Sequence, residues 1–336
     1  MKITPFGCLP SGETVSAYTL ENGHIAVTVL DFGGIVQRFV VDGTDIVAGF
    51  DTLQGYLADD SYQGAVIGRY ANRIRGGSFV IDGKTCSLYK NENGKTHLHG
   101  GRIGFSRRMF RAEPIGDTAL KLSLFDEDGN EGYPGNLRLT VTYALDGDDF
   151  SIHYLAVSDK NTVLNLTNHS YFNLNGYQNS DILSHTVTID ANAVTEVDDD
   201  LLPTGRNIPV ENTVFDLRTP TLLGSRVGKD FGGYDHNFIL NRKKEKVFGD
   251  KTLFFAARVT ADRLAMEVYT DQPDCQLYIG NALTGEPPMK GGARKEPHRT
   301  FCLETQIAPD GPHFGRGFLS ANETYDTTTV FRVTKK

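Results

Sequence analysis

Tryptophan is absent from this 336-residue chain, and cysteine is scarce: Cys8, Cys86, Cys275 and Cys302 are the only four. They lie far apart, form no CxxC pair and lack the spacing of a four-cysteine zinc site. A chain of this length needs no disulfide staples, so they read as reduced thiols. No apolar run is long enough to cross a bilayer, and the opening MKITPFGCLPSGETVS carries no signal-like apolar segment. The expectation is a cytoplasmic protein with no membrane partner. Positive charge is also in deficit, with 34 Lys and Arg against 42 Asp and Glu and a formal net charge of −8. That balance speaks against nucleic acid as the main partner. There is no GxGxxG after a strand and no Walker-type GKS or GKT, so a nucleotide has no motif to sit on. Repeats, low-complexity tracts, linkers and the charged blocks of exposed helices are missing too.

Alternation fills the chain instead. Leu137, Leu139, Val141, Tyr143 and Leu145 share one side of NLRLTVTYALDG, with Arg138, Thr140 and Thr142 opposite. Leu253, Phe255, Ala257 and Val259 repeat the pattern, as do Leu264, Met266 and Val268, and Val187 and Ile189. Turn sequences such as VDGT, IDGK, DEDGN and LDGDD separate these runs. Only DTLQGYLADDSYQG and LLGSRVG offer a helical turn, and RKKEK at 242–246 reads as a solvated hairpin tip. Many half-buried strands joined by glycine turns predict an all-β sandwich or barrel, with residues 1–336 as a single domain.

Several stretches put polar groups where a strand should be apolar. In TNHSYFNLNG, counting by twos sets Asn165, Thr167, His169, Tyr171 and Asn173 against Leu164, Leu166, Phe172 and Leu174. A strand with one apolar face turns the other to water or to a ligand. GRYANRIRGG brackets Asn72 and Arg73 with glycines, and a guanidinium fork can bridge adjacent hydroxyls or pair with a carboxylate. HLHGG places His97 and His99 on one face, and GGYDHNFIL sets Asp235, His236 and Asn237 at a strand start. RTFCLETQIAPDG aligns Cys302, Glu304 and Gln306 on one face, with Gln276 and Tyr278 matching in CQLYIGNAL. A glutamate on an otherwise apolar strand is costly to bury unpaired, so it is either exposed or kept for a purpose.

Two chemistries fit these residues. His97, His99, His169 and Glu304 could hold iron or zinc. Alternatively, they could be an acid and a base around a neutral polyol held by Asn72, Arg73, Asp235 and Gln276. The surrounding Asn, Gln, Arg and Tyr bind hydroxyls and do nothing for a metal, which favours the sugar.

Taken together, GAVIGRYANRIRGGSF, HLHGG followed by GF, GYPGNL, LNLTNHSYFNL, GYDHNF, QLYIGN and ETQIAPDGPHF make the chain resemble the aldose 1-epimerase (galactose mutarotase) family along nearly its whole length. The resemblance implies a large antiparallel β-sandwich of the galactose mutarotase type. It also implies cofactor-free interconversion of the α and β anomers of free hexoses such as galactose and glucose. Glu304 then matches the general base and His169 the general acid, with Asn72, Arg73, His97, Tyr171, Asp235 and Gln276 holding the sugar. No cofactor or metal is expected, and the chain is expected to be a monomer or weak homodimer. Many relatives have a tryptophan near the position of Phe110, and Ala and Asn where Gly311 and His313 stand; neither departure touches the acid or the base.

Anomer exchange needs one group to take the O1 proton while another protonates the ring oxygen O5. The expectation is a carboxyl raised in pKa by burial and an imidazole kept protonated by a neighbour, on opposite sides of the sugar. The alternatives are a mutarotase for hexose 6-phosphates, using Arg69, Arg75, Arg102, Arg107 and Arg108, and a sugar sensor without turnover.

Overall fold

The strand Leu137–Asp146 shows how the alternating pattern becomes architecture. Leu137, Leu139, Val141, Tyr143 and Leu145 are all buried, whereas Arg138 and Asp146 are exposed. The structure is a computed structural model that describes residues 1–178 and 180–336. In it this strand pairs antiparallel with Ala119–Asp126 and Asp149–Ser158. The series continues through Thr324–Lys335, Leu264–Thr270, Lys251–Thr260 and Thr186–Ile189 within a ten-stranded sheet. A five-stranded meander from Lys2–Cys8 to Thr44–Asp45 forms a second sheet. The third runs in the order Pro203–Pro209, Ala191–Val197, Asp235–Leu240, Asp274–Tyr278, Cys302–Gln306 and is antiparallel throughout.

One hydrophobic cluster reaches from Leu20 to Val333 and fills the space between the sheets. Phe39 of the second sheet meets Phe150 of the first edge-on at 5.2 Å, a geometry that favours the aromatic quadrupoles. The all-β sandwich expected from the sequence is the observed fold. Asp42-Gly43 and Asp82-Gly83 both take positive φ at each residue, closing two-residue hairpins whose twist matches that of the strands. A short α-helix, Leu53–Ala58, is capped by Thr52, whose hydroxyl accepts the Gly55 N–H. Leu223–Ser225 is a single 3₁₀ turn. Among the described residues no helix is long and apolar enough to cross a membrane.

Two local expectations differ from the structure. RKKEK is not a hairpin tip: it leads into Glu245–Phe248, and that hairpin turns at Gly249-Asp250. Residues 164–174 are buried on both faces, and only Thr167–Asn168 forms a strand, paired with Val66–Ile67. The segment is threaded between the sheets, so its polar side is covered by protein and by the cleft rather than by bulk water.

Candidate active site

The third sheet ends in a cleft of about 510 Å³, within the range of small-molecule sites. Glu304 comes to it from the central residue of Cys302–Gln306 and is 2% exposed. His169 comes from the residue after Thr167–Asn168, fixed by backbone bonds to Ala65 and Gly64. His169 Nε2 stands 3.7 Å from Glu304 Oε1, and Glu304 Oε2 has no hydrogen-bond partner among the described residues. The two groups are neighbours on one wall, not on opposite sides as expected. O1 and O5 of a hemiacetal share one carbon, so adjacent groups can serve both.

Burial dominates the electrostatics. It pushes the Glu304 carboxyl up from 4.5 to about 8, helped by the Asp235 carboxylate and opposed by Arg73. Burial also pushes the His169 imidazole down from 6.5 to about 4. Among the described residues no charged neighbour keeps His169 protonated, contrary to expectation. The group at its Nδ1 among the described residues is the Cys302 thiol, 3.5 Å away, a weak partner that burial holds well above its ordinary pKa. Between about pH 4 and 8 the pair therefore carries one proton, and that proton rests on Glu304.

Of the remaining expected site residues, Asn72, Arg73, Tyr171 and Asp235 line the cleft. Arg73 is clamped by both carboxylate oxygens of Glu92, which fixes its fork in place. The Tyr171 ring stacks on His169 at 5.0 Å. Its hydroxyl donates to the Ser61 carbonyl at 2.9 Å, so the ring and not the oxygen is what faces a ligand. Gln276 is buried one layer back, where its amide donates to Asp235 Oδ1 at 2.7 Å and steadies that carboxylate.

His97 lies outside the cleft. It is fully buried, with Nδ1 against the Tyr89 carbonyl and Nε2 against the Tyr133 hydroxyl, both at 2.6 Å. The reason is the backbone: the strand His97–Leu98 stops after two residues, and His99 adopts φ +49°, so strict alternation no longer relates the two rings. His99 is the histidine that enters the cleft. Gly100 makes this turn possible, because an added Cβ would sit 1.8 Å from the Gly68 carbonyl oxygen. His99 Nδ1 accepts the Asn72 backbone N–H at 3.1 Å, so its proton is on Nε2, which points a donor into the site.

That tautomer also bears on the metal reading. His99, His169 and Glu304 bring ligand atoms within 4.8 Å of one another. A metal needs a lone pair, and the Nε2 of His99 has given its own up to a proton. These residues suit hydrogen bonding better than coordination. Tyr62 went unnoticed in the sequence; it lies 4.8 Å from the His99 ring and stacks near His169 at 6.2 Å. Only its DDSYQG context could have flagged it, and that signals a turn.

An all-β sandwich holding a buried carboxyl–imidazole pair in a polar cleft is the class of protein that performs acid–base chemistry on a neutral polar substrate. Residues 16–332 match the family model described as aldose 1-epimerase. The chain is 42% identical to human galactose mutarotase over 97% of its own length and 96% of that protein. It is 34% identical to the aldose 1-epimerase of Escherichia coli, with 96% of each covered. The solved galactose 1-epimerase of Lactobacillus acidophilus superposes with a TM-score of 0.86 at 27% identity, covering 99% of this chain and 98% of that one. The chain belongs to the aldose 1-epimerase family and is an isomerase of the mutarotase class.

Proposed function

We propose that this protein interconverts the α and β anomers of free hexoses such as galactose and glucose, with Glu304 as the base at O1 and His169 as the acid at O5. The observation that carries this reading is the 3.7 Å juxtaposition of the two groups, with burial moving their proton affinities in opposite directions. Ring opening moves the O1 proton to Glu304 and the imidazolium proton to O5. Rotation about C1–C2 and reclosure reverse both transfers. The open-chain aldehyde is thus accompanied by protonated Glu304 and neutral His169, the state that burial favours. That bias lowers the intermediate relative to the reactive closed-ring form, in which Glu304 is ionised and His169 protonated. His99 Nε2–H, Asn72 and Arg73 supply fixed donors for hydroxyls.

A phosphorylated sugar is poorly served. Arg69 is buried against Asp126, Arg108 also reaches Asp126, and Arg75 pairs with Asp198. Arg107 donates to the Leu57 carbonyl, and Arg102 lies over the exposed Tyr89 ring. Asp60 and Asp235 line the cleft as well. A cytoplasmic location is part of the proposal, supported by four free thiols. The deciding experiment is polarimetry of freshly dissolved α-galactose and α-glucose with catalytic amounts of protein. Acceleration of anomer exchange is expected. Calorimetric binding without acceleration would identify a sensor instead.

A further inference from the structure

Behind Glu304, away from the cleft, the polar face of the third sheet continues inward. Register places Asn237 opposite Gln276, Gln276 opposite Glu304, and Asp274 opposite Gln306, all on one face. Each of these side chains is at least nine-tenths buried. Among the described residues, Asn237 Oδ1, Gln276 Oε1, Glu304 Oε2 and both amide atoms of Gln306 have no hydrogen-bond partner. Buried polar atoms are nearly always paired with protein or with ordered water, so such a concentration on one face calls for a ligand of water's size and chemistry.

The far end of this face opens outward. Asn237 Nδ2 donates to Thr195 Oγ1 at 3.0 Å, and Arg316 donates to Asp274 Oδ2 at 2.7 Å. Thr195 and Arg316 both line a second cavity of about 170 Å³, and the Arg316 side chain is 38% exposed. The polar face therefore runs from the catalytic carboxyl to a separate opening.

The geometry points to a chain of bound water molecules along Asn237, Gln276, Asp274 and Gln306 that joins Glu304 to the Thr195–Arg316 cavity and solvates its carboxylate from behind while a sugar covers the front. The inference rests on the reading of Glu304 as the base. Without such solvation, a base closed off by substrate has to pass its proton to His169 with the Asp235 carboxylate nearby and only Arg73 and the resulting imidazolium in opposition. Gln306 is a positioning residue in this scheme. It touches no substrate atom and acts through the water next to Glu304.

The test uses Gln306→Met, which keeps the length of the side chain and removes its polarity, with Asn237→Leu as a second variant at the other end of the chain. A high-resolution crystal structure of the unsubstituted protein should show ordered water bonded to the atoms named above. If the face is hydrated, Gln306→Met lowers the melting temperature by breaking the chain. If it is dry, removing an orphaned amide raises it. Weaker solvation also shifts the shared proton toward Glu304. Turnover on the plateau should then fall about tenfold and the alkaline limb move up by about one pH unit, with KM little changed. A generally damaged enzyme would not become slower and more alkali-tolerant together. A dry face with the amides bonded to one another, a raised melting temperature, or an unmoved pH profile in both variants would overturn the proposal. Ordered water in a protein that does not accelerate anomer exchange would overturn the assignment of Glu304, and the solvating role with it.

Discussion

Glu304 Oε1 and His169 Nε2 face each other at 3.7 Å inside a cleft where each is at most 5% exposed. The separation is too long for a hydrogen bond and short enough that both groups reach the same hemiacetal carbon's oxygens. Each group has a proton affinity set mainly by burial, which moves the two in opposite directions.

Glu304→Gln keeps the size and polarity of the side chain and removes its basicity. Turnover is expected to fall on the order of 10²-fold or more, with the circular dichroism spectrum unchanged. Stopped-flow polarimetry with α-galactose measures it. Rates near those of the unsubstituted protein would remove Glu304 from the mechanism.

The same substitution should be stabilising at high pH. The folded carboxyl is raised from 4.5 to about 8, so between those values the folded state holds a proton that the unfolded state has released. Stability then falls as pH rises through this window, by at most about 1.4 kcal/mol per pH unit from this group. His169 works in the other direction: its lowered affinity costs stability as pH drops from 6.5 toward about 4. Urea denaturation of the parent and of Glu304→Gln at pH 5 and pH 8.5 reads the effect. Glu304→Gln should gain relative to the parent at pH 8.5 and show no such gain at pH 5.

The sheets were legible in the sequence because alternation is a local signal; Leu137–Asp146 declares its buried face residue by residue. Glu304 and Gln276 were legible for the same reason, since they sit on regular strands and their register follows from parity. The histidines were harder. Parity put His97 with His99, and the left-handed backbone at His99 broke that relation. His97 is held by Tyr133, a contact across 36 residues that no local pattern encodes. Cys302 read as an inert thiol until the fold set it at His169 Nδ1. The clamp of Glu92 on Arg73 depends on a loop whose sequence signals only a turn.

Chelation should leave the rate unchanged. The Asn72 N–H occupies His99 Nδ1 and leaves Nε2 protonated, so the three clustered groups do not form a ready ligand set. Dialysis against a strong chelator followed by polarimetry checks this. A loss of activity restored by zinc or iron would show that the His99 tautomer rearranges around a metal.

Glucose 6-phosphate should be a poor substrate, with kcat/KM at least about tenfold below that of galactose. The arginines nearest in sequence to the site are committed to Asp126, Asp198 and backbone carbonyls, and Arg73 to Glu92. A phosphate would enter near Asp60 and Asp235 and be repelled at moderate range. Equal efficiency on both sugars would require a cationic subsite that these side chains do not form.

The three histidines should separate cleanly under substitution by asparagine. His169→Asn removes the acid that works in the transition state, so kcat should drop about 10²–10⁴-fold while KM changes little. His99→Asn removes one fixed donor to the sugar; KM should rise several-fold with a smaller loss in kcat, as for a single hydrogen bond worth about 1 kcal/mol. His97→Asn breaks two buried hydrogen bonds to Tyr89 and Tyr133 that lie outside the cleft. Its effect should appear in the melting temperature, with kcat and KM near those of the parent. The pH profile of kcat/KM adds an independent reading. The parent should lose activity below about pH 4, where the pair takes up a second proton, and above about pH 8, where it loses its only one. The alkaline limb depends on His169 receiving that proton in the complex, so it should vanish in His169→Asn and persist in His99→Asn. A limb that survives in His169→Asn and disappears in His99→Asn would make His99 the acid and leave His169 to hold the sugar.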